Sequence, residues 1–267
     1  MKFGFVVPWG DADDIGDLAE AAEEAGWDGL FVWEPVWGVD AWISLGLAAV
    51  RTSRIRVGTL LTPPSRRRPW ELASQVATVD RLSNGRVTLS VGLGALDSGF
   101  ETFGEVCDRR MRAELMDECL DIMCGLWGGQ PFTHDGKHYS VEPTEFPTIG
   151  HTVQQPRVQI WCVGAVGRPK SMARAVAWDG VIPQVIDNGA MRLPNLVETA
   201  QLRDAIAEEI GDRHFDIVIE GTMSEHSPAA FADAGATWWI ESMWDAMNEH
   251  SPVTAAHDRL QLGPPSL

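Results

Sequence analysis

The chain is poor in tyrosine and cysteine. One tyrosine and four cysteines occur in 267 residues, against twelve tryptophans. Cys107, Cys119, Cys124 and Cys162 form no CxxC pair, and Cys119 and Cys124 stand five apart on a helical stretch, so they share a face poorly. This excludes a disulfide framework and a cysteine metal site, and predicts reduced thiols. Seven histidines occur without HExxH or similar spacing, so no metal is expected. No apolar run is long enough to cross a bilayer. The first residues, MKFGFVVPWGDADD, have one lysine, a short apolar stretch and then acids. That is not a signal-peptide pattern, and the expectation is a cytoplasmic protein without membrane attachment. Basic residues are also scarce: 21 Lys and Arg against 38 Asp and Glu give a net charge of −17. Nucleic acid needs a basic footprint and is excluded as a partner, whereas the acidity itself suits solubility.

What is present is repetition. Eight short apolar runs begin near Phe3, Leu30, Ile55, Val87, Val158, Gly180, Phe215 and Thr237, most of them 22 to 35 residues apart. That is the length of a strand plus a covering helix, and eight such units predict an α/β chain folded as a (β/α)8 TIM-like barrel, one domain over 1–267. Strands are expected at 3–7, 29–33, 55–61, 87–93, 158–163, 180–186, 215–221 and 237–242. Between them, Asp13 or Asp14 caps a helix with Ile15, Leu18, Ala19, Ala22 and Ala25 on one face, and Asp40 caps a second over 41–50. Pro69 suits the first turn of a third, with Leu72, Val76, Val79 and Leu82 inward. After the fourth strand the spacing lengthens to about 70 residues. A helix over 111–127, with Leu115, Cys119, Ile122 and Leu126 inward, fills part of it. The Pro- and Gly-rich remainder, 128–157, reads as an insertion over the barrel mouth, with a small hairpin turning on Asp135 and Gly136. The tail around Pro264 and Pro265 is expected to be loose.

Barrels carry their chemistry at the C-terminal ends of the strands, so the segments after each run hold the candidates. In VGAVGRPKSMARAVAWDG, 163–180, a strand ends in Gly164, a loop holds Gly167, and a helix opens beside Arg168, Lys170 and Ser171. Small residues, a helix N-terminus and two cations suit a phosphate, although a plain glycine turn with solvated basic residues has the same pattern. VGLGALDSG, 91–99, allows close backbone approach, but it lacks the GxGxxG of a dinucleotide fold. Trp9, Trp33 and Trp37 follow the first two strands, and Trp42 and Trp70 open helices nearby. Such aromatic surfaces suit a planar or apolar ligand, or pack the rim. Glu34 ends the second strand, where apolar surroundings suit acid–base work and a structural hydrogen bond is the plain alternative. Arg66, Arg67 and Arg68 form either a solvated surface run or a grip for an acidic group. His134 and His138 sit in the hairpin, where His138 could overhang the pocket or stand in solvent.

Together, EEAGWDGLFVWEPVWGVDAW (23–42), SRIRVGTLLTPPSRRRPWELASQVATVDRLSNGRVTLSVGLG (53–94), RAELMDECLDIMCGLWGGQPFTHDGKHYSV (112–141) and AVAWDGVIPQ (175–184) resemble the luciferase-like monooxygenase superfamily. With their linking strands they cover about 1–186, and the middle stretch is the most specific. The resemblance implies a TIM-like barrel with an insertion after the fourth strand, and a cofactor in its mouth, FMN or the deazaflavin coenzyme F420. It implies a bulge on the third strand at Thr59, Leu60 or Leu61, often with a non-proline cis peptide, backing the isoalloxazine ring. It also implies phosphate contacts from Gly92, Leu93, Gly94 and Ala95 and from Gly164, Ala165, Val166, Gly167, Arg168 and Ser171. A homodimer is implied as well. Related sequences often carry Asp-His where this chain has Glu34 and Pro35, so the acid is kept and the imidazole is gone.

The reading is a flavin- or deazaflavin-dependent oxidoreductase, a monooxygenase or a hydride-transferring reductase, acting on a small organic substrate. Glu34 is its candidate for proton handling or for a hydrogen bond to the ring. Trp9, Trp33, Trp37 and His138 are its candidate substrate-pocket residues. Two alternatives stand beside it: a flavin-binding protein for storage or sensing, and an unrelated phosphate-binding isomerase or aldolase barrel, for which no strand-end lysine offers a Schiff base.

Overall fold

Each of the eight apolar runs becomes a parallel strand. The computed structural model describes residues 1–145, 151–245 and 251–265. In chain order its elements are β1 (Lys2–Val7), α1 (Ala12–Glu24), β2 (Gly29–Val32), α2 (Ala41–Arg51), β3 (Arg56–Thr59), α3 (Pro69–Leu82), β4 (Val87–Val91) and α4 (Arg109–Gly128). There follow β5 (Phe132–Asp135), β6 (Ser140–Thr144), β7 (Gln159–Ala165), α5 (Pro169–Val176), β8 (Gly180–Asp187), β9 (Ala190–Arg192) and α6 (Leu196–Ile210). The last are β10 (Asp216–Gly221), α7 (Pro228–Ala234), β11 (Trp238–Ser242) and α8 (Pro252–Gln261). The strand order is β10-β11-β1-β2-β3-β4-β7-β8, and pairing of β10 with β8 closes the ring. The fold is therefore a closed (β/α)8 barrel.

Strand alternation divides the apolar side chains into two cores. Phe3, Phe5, Val7, Leu30, Val32, Val57 and Leu89 face the helices, against Leu18 of α1, Leu45 of α2 and Leu72 of α3. Each buried leucine contributes about 1.5–3 kcal/mol. The other parity fills the lumen with Val6, Phe31, Leu60, Trp161, Ile182, Val218, Trp238 and Ile240. Phe31, Trp161 and Trp238 stack against one another at 5.2–6.1 Å and plug the lower lumen. Glycines make the room: a Cβ on Gly58 would lie 2.1 Å from the Thr88 carbonyl oxygen, and one on Gly4 2.8 Å from Phe31.

Several local expectations are corrected. Asp11, not Asp13 or Asp14, caps α1, because its carboxylate accepts from the N–H groups of both, and Asp14 completes the box by accepting from the Asp11 N–H. Leu82 is exposed at the end of α3. The inward face of α4 carries Arg112, Met116, Leu120, Met123 and Trp127 besides Cys119 and Ile122, while Leu115 and Leu126 are only partly buried. Ahead of Pro264 and Pro265 the chain forms α8, with Ala256 and Leu260 buried and the Leu260 carbonyl accepting from Trp27 Nε1 at 3.0 Å.

The hairpin β5–β6 lies along α4. Glu118 accepts from the backbone N–H groups of Lys137, His138 and Tyr139 at its tip. Tyr139 meets Trp70, at the start of α3, edge-on at 6.4 Å.

Candidate functional site at the barrel mouth

Because every barrel strand is parallel, all the C-terminal ends meet on one rim, which brings the candidate residues of 59–62, 91–95 and 164–168 together. At the end of β3 the chain leaves the regular ladder. The Leu60–Leu61 peptide is cis, within the three residues at which the resemblance implied a bulge. Thr62 N–H donates to the Ser90 carbonyl at 2.9 Å, so the displaced segment stays tied to β4. Leu60 belongs to the lumen cluster. Leu61 lies beside Gly92, where a Cβ would come within 2.9 Å of its Cδ2 and within 3.0 Å of Val163. Gly92 thus makes room for a leucine side chain at the mouth. Arg112 of α4 braces the next turn, donating to the Leu93 and Gly94 carbonyls at 2.7 and 3.1 Å and lying over Phe100. Burial pulls its guanidinium below the ordinary value. Nothing in the sequence pattern singled this arginine out, since it reads as one of three around the start of a helix.

Glu34 sits behind the bulge. It shares the outward parity of Leu30 and Val32, and it is 7% exposed. Thr62 Oγ1 donates to its Oε2 at 2.8 Å, while Arg66 and Arg67 reach its Oε1 at 3.0 and 2.9 Å. Thr62 Oγ1 lies 3.1 Å from Thr59 Oγ1, which donates to the Ser90 carbonyl at 3.2 Å. A continuous polar chain thus links two arginines, through the two threonines flanking the bulge, to the backbone of β4. Two of the three arginines are therefore not a solvated run: their side chains are 7% and 19% exposed. Burial pulls the Arg66 guanidinium down, and Glu34 opposes that pull. Arg68 alone is exposed. These residues line a cleft of about 580 Å³ beside the mouth, with Trp37, Asp40, Glu105 and Tyr139.

The corner between β7 and α5 differs. Gly167 has φ +75° and open space where a side chain would stand. Ser171 Oγ accepts from the Ala165 N–H at 3.0 Å, and Val166 N–H is taken by the Gln184 carbonyl. Gly164 has another reason to be glycine: a Cβ would lie 2.7 Å from Val181 and 2.9 Å from Met172, so it lets α5 pack on the barrel. Arg168 and Lys170 are exposed, and among the described residues neither has an ion pair.

On the far side of the mouth the tryptophans form a wall. Trp33 pairs with Trp9 at 6.4 Å and, edge-on, with Trp244 at 6.3 Å. Trp37 stands apart in the cleft, 81% exposed, and Trp42 is buried in the helix layer. His138 faces α4, its Nε2 3.0 Å from Glu114 Oε2. Trp244 and Glu220 are the mouth residues that the pattern did not single out. Glu34, Glu220 and Glu241 all stand at or just past a strand end, and counting parity from the apolar neighbours separates them. Val218 faces the lumen, so Glu220 does too, whereas Glu241 bonds Trp239 on the outer side. Trp244 Nε1 donates to Glu220 Oε1 at 2.5 Å, and burial pushes the Glu220 carboxyl above its ordinary range against hydrogen bonds from Trp244 and Ser242.

The chain resembles known proteins in both sequence and fold. It is 32% identical over 154 residues to a putative coenzyme F420-dependent oxidoreductase of Mycobacterium tuberculosis, a stretch covering 56% of this chain and 44% of that one. It spans less than half the length of the curated relatives it matches, 45% and 44% in two of them. The coenzyme F420-dependent tetrahydromethanopterin reductase of Methanopyrus kandleri shares the fold with a TM-score of 0.76 at 17% identity, over 98% of both chains. The oxygenating constituent of the Pseudomonas putida 3,6-diketocamphane monooxygenase, solved with FMN, has a TM-score of 0.66 at 18% identity over 83% of this chain and 67% of that one. The family model described as luciferase-like monooxygenase matches residues 1–261, and the chain belongs to that family.

Proposed function

We propose that the chain is a flavin- or deazaflavin-dependent oxidoreductase acting on a small organic substrate, with FMN or coenzyme F420 seated in the barrel mouth. The reading is supported above all by one convergence in a member of this family: the Leu60–Leu61 bulge, the glycine turn after β4 and the unpaired cations after β7 share a single rim.

The residues fit such a group. Leu60 and Leu61 offer an apolar backing for a ring, and Ser90 Oγ, on the same strand parity as Gly92, is a buried hydroxyl without a partner among the described residues. Gly167 leaves space at the opening of α5, where Arg168 and Lys170 can meet a phosphate with charge not already spent. When bound, the cofactor supplies hydride or electron transfer to oxygen or to an organic acceptor. The protein's share is to orient and to exclude water. Thr59, Thr62 and Glu34 hold the backing segment, Arg112 holds the turn at Leu93 and Gly94, and Trp9, Trp33 and Trp244 wall the substrate side. In this reading Glu34 is a positioning residue.

Mixing the purified protein with FMN and with F420, and following the visible spectrum and fluorescence quenching, tests the proposal. Micromolar binding of one cofactor is expected, with its turnover accelerated by a substrate. Failure of both to bind would end it, and tight binding without turnover across a broad substrate panel would favour a storage or sensing role. The chain also offers a face to a second copy: Ile43 and Val50 on α2 and Leu82 on α3 are exposed. Ile43→Glu is expected to shift a dimer to monomer in light scattering, and a monomeric parent protein would refute the pairing.

A further inference from the structure

Glu220 faces the lumen at the mouth, and among the described residues it has no ion pair. Around the ring of strands, β10 stands four places from β3 in either direction, so Glu220 lies across the mouth from the Leu60–Leu61 bulge. Leu60 and Leu61 would back a bound ring from the side of the mouth opposite β10. The space between is flanked by Trp33 and Trp244, and Trp244 is the residue that donates to Glu220 Oε1. Among the described residues, the surroundings of Glu220 on its own parity are apolar or neutral: Val218 below it, Ile240 and Ser242 on β11, and Ile182 and Gln184 on β8.

The other titratable groups nearby face elsewhere. Asp216 closes the bottom of the same strand, bonded to Trp161 Nε1 and Thr237. Glu241 and Arg259 pair on the outer side, and the His226 ring packs there against Trp239 and Phe231. Asp187 pairs with Arg192 at the exposed end of β8, and Glu225 and Asp245 are exposed.

We propose that Glu220 is the substrate-recognition residue of the mouth, its carboxyl donating a hydrogen bond to the carbonyl oxygen of a small, uncharged, otherwise apolar molecule lying beside the Trp33–Trp244 wall. The inference rests on the cofactor reading above. Burial disfavours the charged form of the acid, and the inward cations Lys2 and Arg56 stand at the opposite end of the lumen, Lys2 over Trp238 and Arg56 bonded to Thr88 and the Val87 carbonyl. A neutral acid offers a proton where a carboxylate offers only lone pairs. The complementary atom is an acceptor, and an anionic substrate group is disfavoured because it would oppose the ionised form.

Calorimetric titration of the cofactor-loaded protein with cyclohexanone, and with methylenecyclohexane as the oxygen-free control, tests this in the wild type, Glu220→Gln and Glu220→Leu. Cyclohexanone is expected to bind at least tenfold tighter than the control in the wild type, and to lose that margin in Glu220→Leu. Its wild-type affinity is expected to fall as pH rises through the titration of Glu220. In Glu220→Gln, whose amide donates at every pH, the affinity is expected to stay flat. Equal binding of ketone and control, an unchanged affinity in Glu220→Leu, or the same pH profile in wild type and Glu220→Gln would each overturn the proposal. Cofactor binding is expected to agree within twofold in all three proteins. Its absence from the wild type would instead refute the cofactor reading.

Discussion

Glu34 and Glu220 both stand at the mouth end of a barrel strand, and their surroundings give them opposite tasks. Glu34 points outward, where two guanidinium groups and a hydroxyl take up its oxygens. Glu220 points inward, where an indole and a serine are its partners and burial works against its charge. The first is a fixed part of the scaffold behind the bulge, and the second is a polar group left facing the space a substrate would fill. Parity along the strand and the presence of a cation, more than proximity to the mouth, separate the two roles.

The sharpest way to break this contrast is to remove the Glu34 carboxylate. Glu34→Ala leaves Arg66 and Arg67 enclosed without their counter-charge, and is expected to lower stability by about 3–5 kcal/mol in urea unfolding. A loss below about 1 kcal/mol would mean that the arginines find water, and that Glu34 is free for other work.

The contrast also has a pH signature. Glu23, at the other end of the barrel, is an outward carboxylate like Glu34. Burial pulls its pKa up, but backbone N–H groups of Ile55, Arg54 and Ser53 outweigh this and hold it at about 2. Its contribution is complete above the ordinary value and is lost as pH falls from about 4.5 towards 2. Glu23→Gln is expected to flatten that acid limb, by about 1–2 kcal/mol after allowance for screening. Glu220 has the opposite sign. Its folded form holds a proton that the unfolded chain releases, so its contribution is present below the ordinary carboxylate value and is lost as pH rises towards the raised one. The smallest effect follows: Glu220→Leu is expected to leave stability near neutral pH unchanged or raised by up to about 1 kcal/mol, since it removes a partly buried carboxyl that has no ion pair among the described residues. A loss of several kcal/mol would make Glu220 a structural residue.

The barrel itself was legible. The eight runs, their spacing, the Asp40 cap and the existence of the hairpin are local signals that the packing agrees with, although Asp135 pairs with Ser140 and the turn runs over 136–139 rather than on Asp135 and Gly136. The bulge at Leu60 and Leu61 came from family resemblance, since nothing in LLTPP alone shows where a strand leaves its ladder. The site was less legible, for physical reasons. RRR reads as a solvated run because the carboxylate that buries it lies about thirty residues earlier in the chain. Gly164 and Gly167 look alike in the sequence, yet one is fixed by contact with Met172 and Val181 and the other by a positive φ. Trp244 lies just past the expected end of the eighth strand, and its meaning comes only from Trp33 and Glu220 across the mouth.

The central claim is that the unpaired cations after β7 receive the phosphate of a ring cofactor lying in the mouth. Its most direct test compares the affinities of FMN and riboflavin, and of the deazaflavin coenzyme and its phosphate-free chromophore, in the wild type and in Arg168→Ala/Lys170→Ala. The account predicts that one phosphorylated cofactor binds at least tenfold tighter than its phosphate-free counterpart, and that the double variant, as stable as the parent, loses most of that margin. Equal affinities within each pair, or a margin untouched by the double substitution, would contradict it.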